Sequence, residues 1–557
     1  MTPEVPQEIW WIVCQDLKRQ QDFKSLFNCA RVSRSWASHA LPLLYSIHDS
    51  SNAASDDMGT TFDGKRRWAG MWRSIILSSA GRTFYPYCLW IKSLGLSDLD
   101  QLLQDIARDP NRRKPFFNGP MKVYEILDGT AKTSAGKRVL GIQTIVEKVG
   151  DAITRFAQDA SEKQNKSVQL TSLEGANLPT SLLSVWTSRL STLTTLSVRD
   201  GSVLTAEVAE SIRQSCPSFR ELTCYNIRGA TVDQNMSEFF RGLREDSLEN
   251  FRVLSANEIG LGALEGLMHH SRSLRSLELS SLGNTSLPFL HLLTSCQYLE
   301  ELKIEASIPS PPSTWAPAGE DPLAIVASWL KECKTLKRLS ISKLAGASKL
   351  LSDVLGSPGL RLRELDVELI DDEEAFYSAL GHQADLESLV FRSNAEVPDP
   401  NGARHDKLID SICSCKKLKD LDIMQKVIGI DQVQLTADDL FLIKESLRSL
   451  EELNFDGENL TDLIFQHLAQ MPSLRALYIN GLSIFSYNGI KSFIESLKAS
   501  GSHRDFRLDI VNQHGDAKIS ERAEAELGIM MASSLNGSFN LVYFRDPSED
   551  DMSDLSD

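Results

Sequence analysis

Little in this sequence speaks for catalysis, metal binding or a membrane. Nine cysteines are scattered over 557 residues without a Cys-x-x-Cys pair. That odd number without ligand spacing argues against a disulfide framework and against zinc, and it fits reduced thiols. No apolar run approaches eighteen residues, so no membrane-spanning helix is expected. Met1-Thr2-Pro3-Glu4 lacks a basic stretch followed by an apolar one, so no secretory leader is expected either, which implies a cytoplasmic or nuclear protein. Basic residues are the minority, 59 against 75 acidic, for a net charge of −16, a poor basis for a nucleic-acid surface. Arg112-Arg113-Lys114 is a local exception and reads as a solvated loop.

Catalytic motifs are missing as well. There is no His-Glu-x-x-His and no Gly-x-Ser-x-Gly. Ala131-Lys132-Thr133-Ser134-Ala135-Gly136-Lys137 imitates a phosphate-binding loop, but Arg138 stands where Ser or Thr would reach Mg²⁺, and no clear strand is read before it. His269-His270 have no acidic neighbour in sequence and read as surface or partly packed residues. The expectation is a chain with no catalytic residue, no metal and no cofactor.

What is present is repetition. The pattern Leu-x-x-Leu-x-(Leu/Ile/Val/Phe) returns eleven times, at Leu193, Phe219, Leu248, Leu274, Leu299, Leu336, Leu362, Leu386, Leu418, Leu450 and Leu474, at intervals of 24 to 37 residues. Helical stretches lie between, as at Thr205 to Cys216, Leu323 to Cys333, Lys407 to Cys415 and Asn488 to Ala499. A strand plus a helix cannot bury its apolar face alone and must stack on its neighbours. Longer intervals carry Pro-rich inserts, Pro309-Ser310-Pro311-Pro312 and Val397-Pro398-Asp399-Pro400-Asn401-Gly402. Cys216, Cys296, Cys333 and Cys415 each stand three residues before a repeat's first apolar residue, and Met471 does so before Leu474. They share one site where helix turns into strand, a packing role rather than a redox one.

Leucines of such strands point inward, so the residues between them face outward on the sheet. Glu301, Lys303, Arg338, Glu364, Asp366, Asp422 and Glu452 are the candidate target-binding residues on that concave face. Glu300, Lys337, Arg363, Lys419 and Glu451 are placed there too.

The first forty-five residues read as three short helices. Pro6 suits a first helical turn, with Glu4 and Glu8 near the positive end of the dipole. Ile9 to Cys14 are all apolar, covering the whole circumference at about 100° per residue. Asp22 and Ser33 are placed to cap the second and third helices.

This stretch resembles the F-box, which opens on Leu-Pro-x-Glu-Ile, continues with an acidic residue before a Leu-rich helix, and closes on Val-Ser/Cys-Arg-x-Trp. Here the matching residues are Pro6, Glu8, Ile9, then Asp22 and Leu26, then Val32, Ser33, Arg34 and Trp36; Val5 replaces the first Leu. The resemblance implies docking to the Skp-type adaptor of a cullin–RING (SCF) ubiquitin ligase through Pro6, Ile9, Trp10, Val13, Leu26, Val32 and Trp36. Downstream, the chain resembles the leucine-rich-repeat family, without the regular Asn many members place after the strand; Leu282, Leu344 and Leu482 stand there in several repeats.

The expected architecture is α/β, a three-helix F-box followed by a leucine-rich-repeat solenoid with parallel strands concave and helices convex. Its divisions are 1–46, the F-box-like helices; 47–85, a linker and connecting helix; 86–190, degenerate first repeats with a polar insert from about Arg108 to Lys137; 191–545, the repeats; and 546–557, an acidic disordered tail. The implied function is a substrate-recognition adaptor of an SCF-type ligase, with an unknown protein substrate and neither nucleic acid nor membrane as partner. The alternative is a leucine-rich-repeat scaffold unrelated to ubiquitination.

Overall fold

The computed structural model describes residues 7–50, 62–132, 138–164, 166–307, 322–369, 374–393, 402–424, 434–512 and 518–543. Pro6, both Pro-rich inserts up to Asn401, and the acidic tail therefore lie outside the described residues. The chain divides into two compact units, residues 1–274 and 275–557.

The first unit opens on three helices, α1 (Gln7–Arg19), α2 (Phe23–Val32) and α3 (Arg34–Tyr45). Both expected caps form: the Asp22 carboxylate accepts from the Ser25 N–H at 2.8 Å, and the Ser33 hydroxyl accepts from the Trp36 N–H at 3.2 Å. Each satisfies one of the N–H groups that a helix start leaves without an intrahelical partner. A fourth helix, α4 (Phe62–Ser79), packs Trp68 and Trp72 around the buried ring of His48, and its Ser74 bonds the Tyr45 hydroxyl at 2.6 Å.

Then the strands begin: β1 (Ser93–Gly95), β2 (Leu127–Lys132), β3 (Arg138–Leu140), β4 (Ser172–Gly175), β5 (Thr195–Asp200), β6 (Glu221–Asn226) and β7 (Asn250–Val253). β1 pairs directly with β4, Ser93 opposite Ser172, and the parallel order continues through β5 and β6 to β7. Everything between Leu96 and Thr171 is thus a single enlarged crossover. It holds helices α5 (Leu96–Arg108) and α6 (Pro110–Phe116), the antiparallel β2–β3 hairpin, and a 23-residue helix, Ile142–Gln164.

Three expectations change here. Arg112-Arg113-Lys114 is not a loop but part of α6, started by the Asp109 cap; Arg113 reaches Glu125 at 2.8 Å, and the neighbouring Phe116 is buried. A strand, β2, does precede the phosphate-loop look-alike, whose Thr133 to Lys137 lie outside the described residues. The chain returns from it as strand β3, whereas a phosphate loop opens a helix. His270 is fully buried, donating through Nε2 to the Phe240 carbonyl at 3.0 Å, and burial pushes its pKa down to about 4.

The second unit is one parallel series: β8 (Ser276–Leu282), β9 (Glu301–Ala306), β10 (Arg338–Ser342), β11 (Glu364–Leu369), β12 (Ser388–Ser393), β13 (Asp420–Asp422), β14 (Glu452–Thr461), β15 (Ala476–Ile484), β16 (Arg507–Asn512) and β17 (Ser538–Tyr543). Each pairs with its sequence neighbour. The pattern leucines align across the strands, Leu277, Leu302, Leu339, Leu365, Leu389, Leu421 and Leu453 in one row, and all are buried. At about 25 cal/mol per Å² such rows supply most of the cohesion. In both units the helices return between strands, including Ala206–Ser215, Pro322–Glu332, Ala403–Ser414 and Tyr487–Ser500. This is the α/β leucine-rich-repeat architecture.

The cysteine site is real. Cys216, Cys296, Cys333 and Cys415, with Met471, are buried where each helix gives way to strand. The Cys216 thiol lies 3.3 Å from the Thr187 and Leu190 carbonyls of the preceding repeat. Burial pushes its pKa up to about 12, which removes the thiolate that redox chemistry requires.

Candidate protein-binding surfaces

A helix apolar on every side can bury only one of them in a three-helix unit. Trp10, Cys14 and Leu17 of α1, spaced i, i+4 and i+7, turn inward; Cys14 is buried, and Trp10 stacks on Trp36 of α3 with ring centroids 5.0 Å apart. Trp11 meets His39 of α3 edge-on at 6.4 Å. What remains outward is Ile9, Ile12 and Val13, with the rest of Trp11 beside them; Ile12 is 61% exposed. α2 adds Phe27 and Val32, the latter 68% exposed, while Leu26 is fully buried. The guanidinium of Arg31 sits 5.8 Å over the Phe27 ring.

The candidate residues therefore divide. Ile9, Val13 and Val32 are solvent-facing. Trp10 and Trp36 are half-buried partners of each other, and Leu26 belongs to the unit's own core. Ile12 and Phe27, among the most exposed apolar side chains of these helices, are absent from the sequence-derived candidates; the i, i+3, i+4 spacing from Ile9 was the available signal for Ile12.

On the second unit, register brings all seven sheet candidates onto one face in two adjacent rows. Glu301, Arg338, Glu364, Ser388, Asp420 and Glu452 form one; Lys303, Ser340, Asp366, Val390, Asp422 and Asn454 form the other. Most of the charges are neutralised within the face. Arg338 lies 2.9 Å from Glu301 and 4.0 Å from Glu364. Lys303 lies 2.8 Å from Glu278, and Arg392 lies 2.7 Å from Asp422. Burial works to lower the Lys303 pKa, but the Glu278 hydrogen bond and charge prevail and hold it above its ordinary value.

The balance changes around β13. Asp420 titrates above the usual carboxylate range, first because it is partly buried and then because Glu452 and Asp422 stand beside it. Asp456 and Asp509 extend the acidic stretch on β14 and β16, with Arg507 bonding Asp509. Glu278 and Arg392, which neutralise two of the candidates, were missed in sequence because their partners lie a repeat away.

One placement is corrected. Glu300, Lys337, Arg363, Lys419 and Glu451 do not face outward on the sheet. They stand one residue before each strand and form their own file along its N-terminal edge, linked by main-chain bonds such as Arg363 N–H to Lys337 O at 2.8 Å and Glu387 N–H to Arg363 O at 2.7 Å.

Among solved structures, the chain is similar in fold to that of a TLR13–ssRNA13 complex, at 13% identity and a TM-score of 0.36, over 68% of this chain and 53% of that one. It thus spans about half the length of that chain. An internalin (inlF) from Listeria monocytogenes str. 4b F2365 aligns at 13% identity and a TM-score of 0.34 over 63% of this chain and 81% of its own. The structure of the Rad7 and Elc1 complex in yeast aligns at 15% identity and a TM-score of 0.35 over 72% and 89%. No family model matches the sequence, and no curated protein does. The strand–helix repeats in parallel register define a leucine-rich-repeat fold. Among the described residues no helix is long and apolar enough to cross a membrane.

Proposed function

We propose that this chain is the substrate-recognition subunit of an SCF-type ubiquitin ligase, a non-catalytic bridge whose N-terminal helices hold the Skp-type adaptor and whose repeats hold a target protein. The observation that carries this reading is the outward apolar stripe of α1 and α2. Ile9, Ile12, Val13, Phe27 and Val32 stay in contact with solvent although their helices have already formed a core. Exposed apolar side chains gathered on short helices mark a surface awaiting a partner, and the F-box resemblance of the same helices names that partner. The charged outer face of the second unit is the surface offered to a target.

Co-precipitation of the intact chain with a Skp-type adaptor tests the assignment. Retention is expected for the native protein and is lost in Ile12→Asp and Val32→Asp. Both variants keep the native melting temperature within a degree or two, since exposed substitutions change stability by less than about 0.5 kcal/mol. A native chain that fails to retain the adaptor sinks the ligase assignment and leaves a repeat scaffold of another kind.

A further inference from the structure

Helices α4, α5 and α6 of the first unit do not close completely on one another. They leave a partly enclosed cavity of about 430 Å³, within the range of roughly 300–1,000 Å³ typical of small-molecule sites. Its apolar walls are Trp68 of α4, Leu102 and Ile106 of α5 and Phe116 of α6, all buried. The Trp68 ring is held by His48, stacked at 5.7 Å, and by Trp72, edge-on at 6.3 Å. A wall so held does not swing in to fill the space. Gly70 borders the same cavity. Inside a helix glycine is the least favourable residue after proline, and packing does not require it here, because a Cβ would meet no atom within 4 Å. α4 thus keeps open a space that a side chain could occupy.

The polar lining is mostly basic. Lys65, Arg66, Arg73 and Arg112 stand against two carboxyls, Asp98 and Asp105, in a chain whose net charge is −16. Asp105 is engaged by Lys65 at 3.4 Å. Burial, and then the charges of Glu174 and Asp49, push Asp98 up to about 7, so at neutral pH it is half protonated and able to donate a hydrogen bond. Arg66 and Arg73 pair with no carboxylate among the described residues. Arg73 gives its two terminal nitrogens to the Pro115 and Asn118 carbonyls, at 3.0 and 2.9 Å, and its buried Nε–H meets no acceptor. A buried donor on a charged group is costly to leave unmatched, and an anion is the acceptor that matches it best.

We propose that this cavity binds a small aromatic carboxylate, its ring against Trp68, Ile106 and Phe116 and its carboxylate beside Arg66 and Arg73. Two aromatic walls favour a flat apolar body through offset and edge-to-face contacts. Guanidinium groups without a carboxylate of their own favour that head group, which accepts charge-assisted hydrogen bonds from them. The site lies wholly within the first unit, and it uses neither the outward stripe of α1 and α2 nor the charged face of the second unit. Binding here is therefore independent of the ligase assignment.

Isothermal titration of the full chain with 2-naphthoate, 2-naphthamide and 2-naphthylmethylammonium tests this. One saturating site is expected for the carboxylate, at least about tenfold tighter than for the uncharged amide or the cation. Its affinity weakens about threefold as salt rises from about 0.05 M to about 0.5 M, because the exposed part of the basic lining is screened. Gly70→Phe places a ring in the cavity and is expected to lower the affinity at least about tenfold, whereas Gly70→Ala raises the melting temperature. Arg66→Glu, at an exposed position, is expected to lower the affinity at least about fivefold while circular dichroism stays native, which keeps the test decisive if Gly70→Phe does not fold. The proposal is overturned if 2-naphthoate shows no saturating site, if the amide or the cation binds as tightly, or if either Arg66→Glu or a folded Gly70→Phe leaves the affinity unchanged.

Discussion

Single side chains in this molecule draw their properties from neighbours far away in sequence. Asp98, near the start of α5, is pushed up to about 7, first by burial and then by the charges of Glu174 and Asp49. An unfolded aspartate titrates near about 3.9. Between these two values the folded chain holds a proton that the unfolded chain lacks, so the Asp98 contribution favours folding at low pH and is lost as pH rises through 7. Asp98→Asn is expected to raise stability at pH 8 by on the order of 2 kcal/mol, and the gain should vanish toward pH 4. Thermal melts across that range measure it, and a gain independent of pH refutes it. Asp233 shows the same dependence on distant partners. Its carboxylate accepts from the N–H groups of Gly260 at 2.6 Å, Gly262 at 2.9 Å and Ala263 at 2.8 Å, capping the helix Leu261–Leu267 of the next repeat. Asp233→Ala leaves these donors without their acceptor and should cost about 1–3 kcal/mol in chemical denaturation. Neither role was legible in the sequence, where both residues look like ordinary surface acids.

At the scale of the element, α1 and α2 separate binding from folding. Leu26 and Cys14 face inward, whereas Ile12, Phe27 and Val32 face solvent. Leu26→Ala should therefore cost about 2–5 kcal/mol through the cavity it leaves, while Ile12→Asp changes melting little. Comparable losses from both would show that the outward stripe is in fact packed. The caps at Asp22 and Ser33 were readable because capping is local: a side chain and an N–H three residues on. Which side of α1 is covered was not readable, because six consecutive apolar residues leave its orientation undetermined until α3 offers Trp36. For the same reason the sequence pattern puts the edge file of Glu300, Lys337 and Arg363 on the outer face. A Leu-x-x-Leu pattern does not say which of its two middle residues already belongs to the strand.

For the whole molecule, the proposed division of labour predicts that removing residues 1–46 abolishes adaptor retention and leaves target binding by the repeats. It also predicts that a target held at the acidic stretch around β13 loses affinity with salt and on Asp420→Lys. Pull-down of one target by the full and shortened chains, at low and high salt, decides both. Loss of target binding in the shortened chain would place recognition in the N-terminal helices instead. The repeat, its α/β character and the buried leucine rows were legible in the residue order alone, because burial recurs at fixed intervals and each interval repeats the same local physics. Chain packing settles the rest: that β1 pairs with β4 across the long insert, that Asp420 lacks the basic partner Asp422 has in Arg392, and which apolar stripe of α1 remains in water. These depend on which chain segments meet in space, and hydrogen bonding, charge and exposure at any residue follow from the neighbours so assembled.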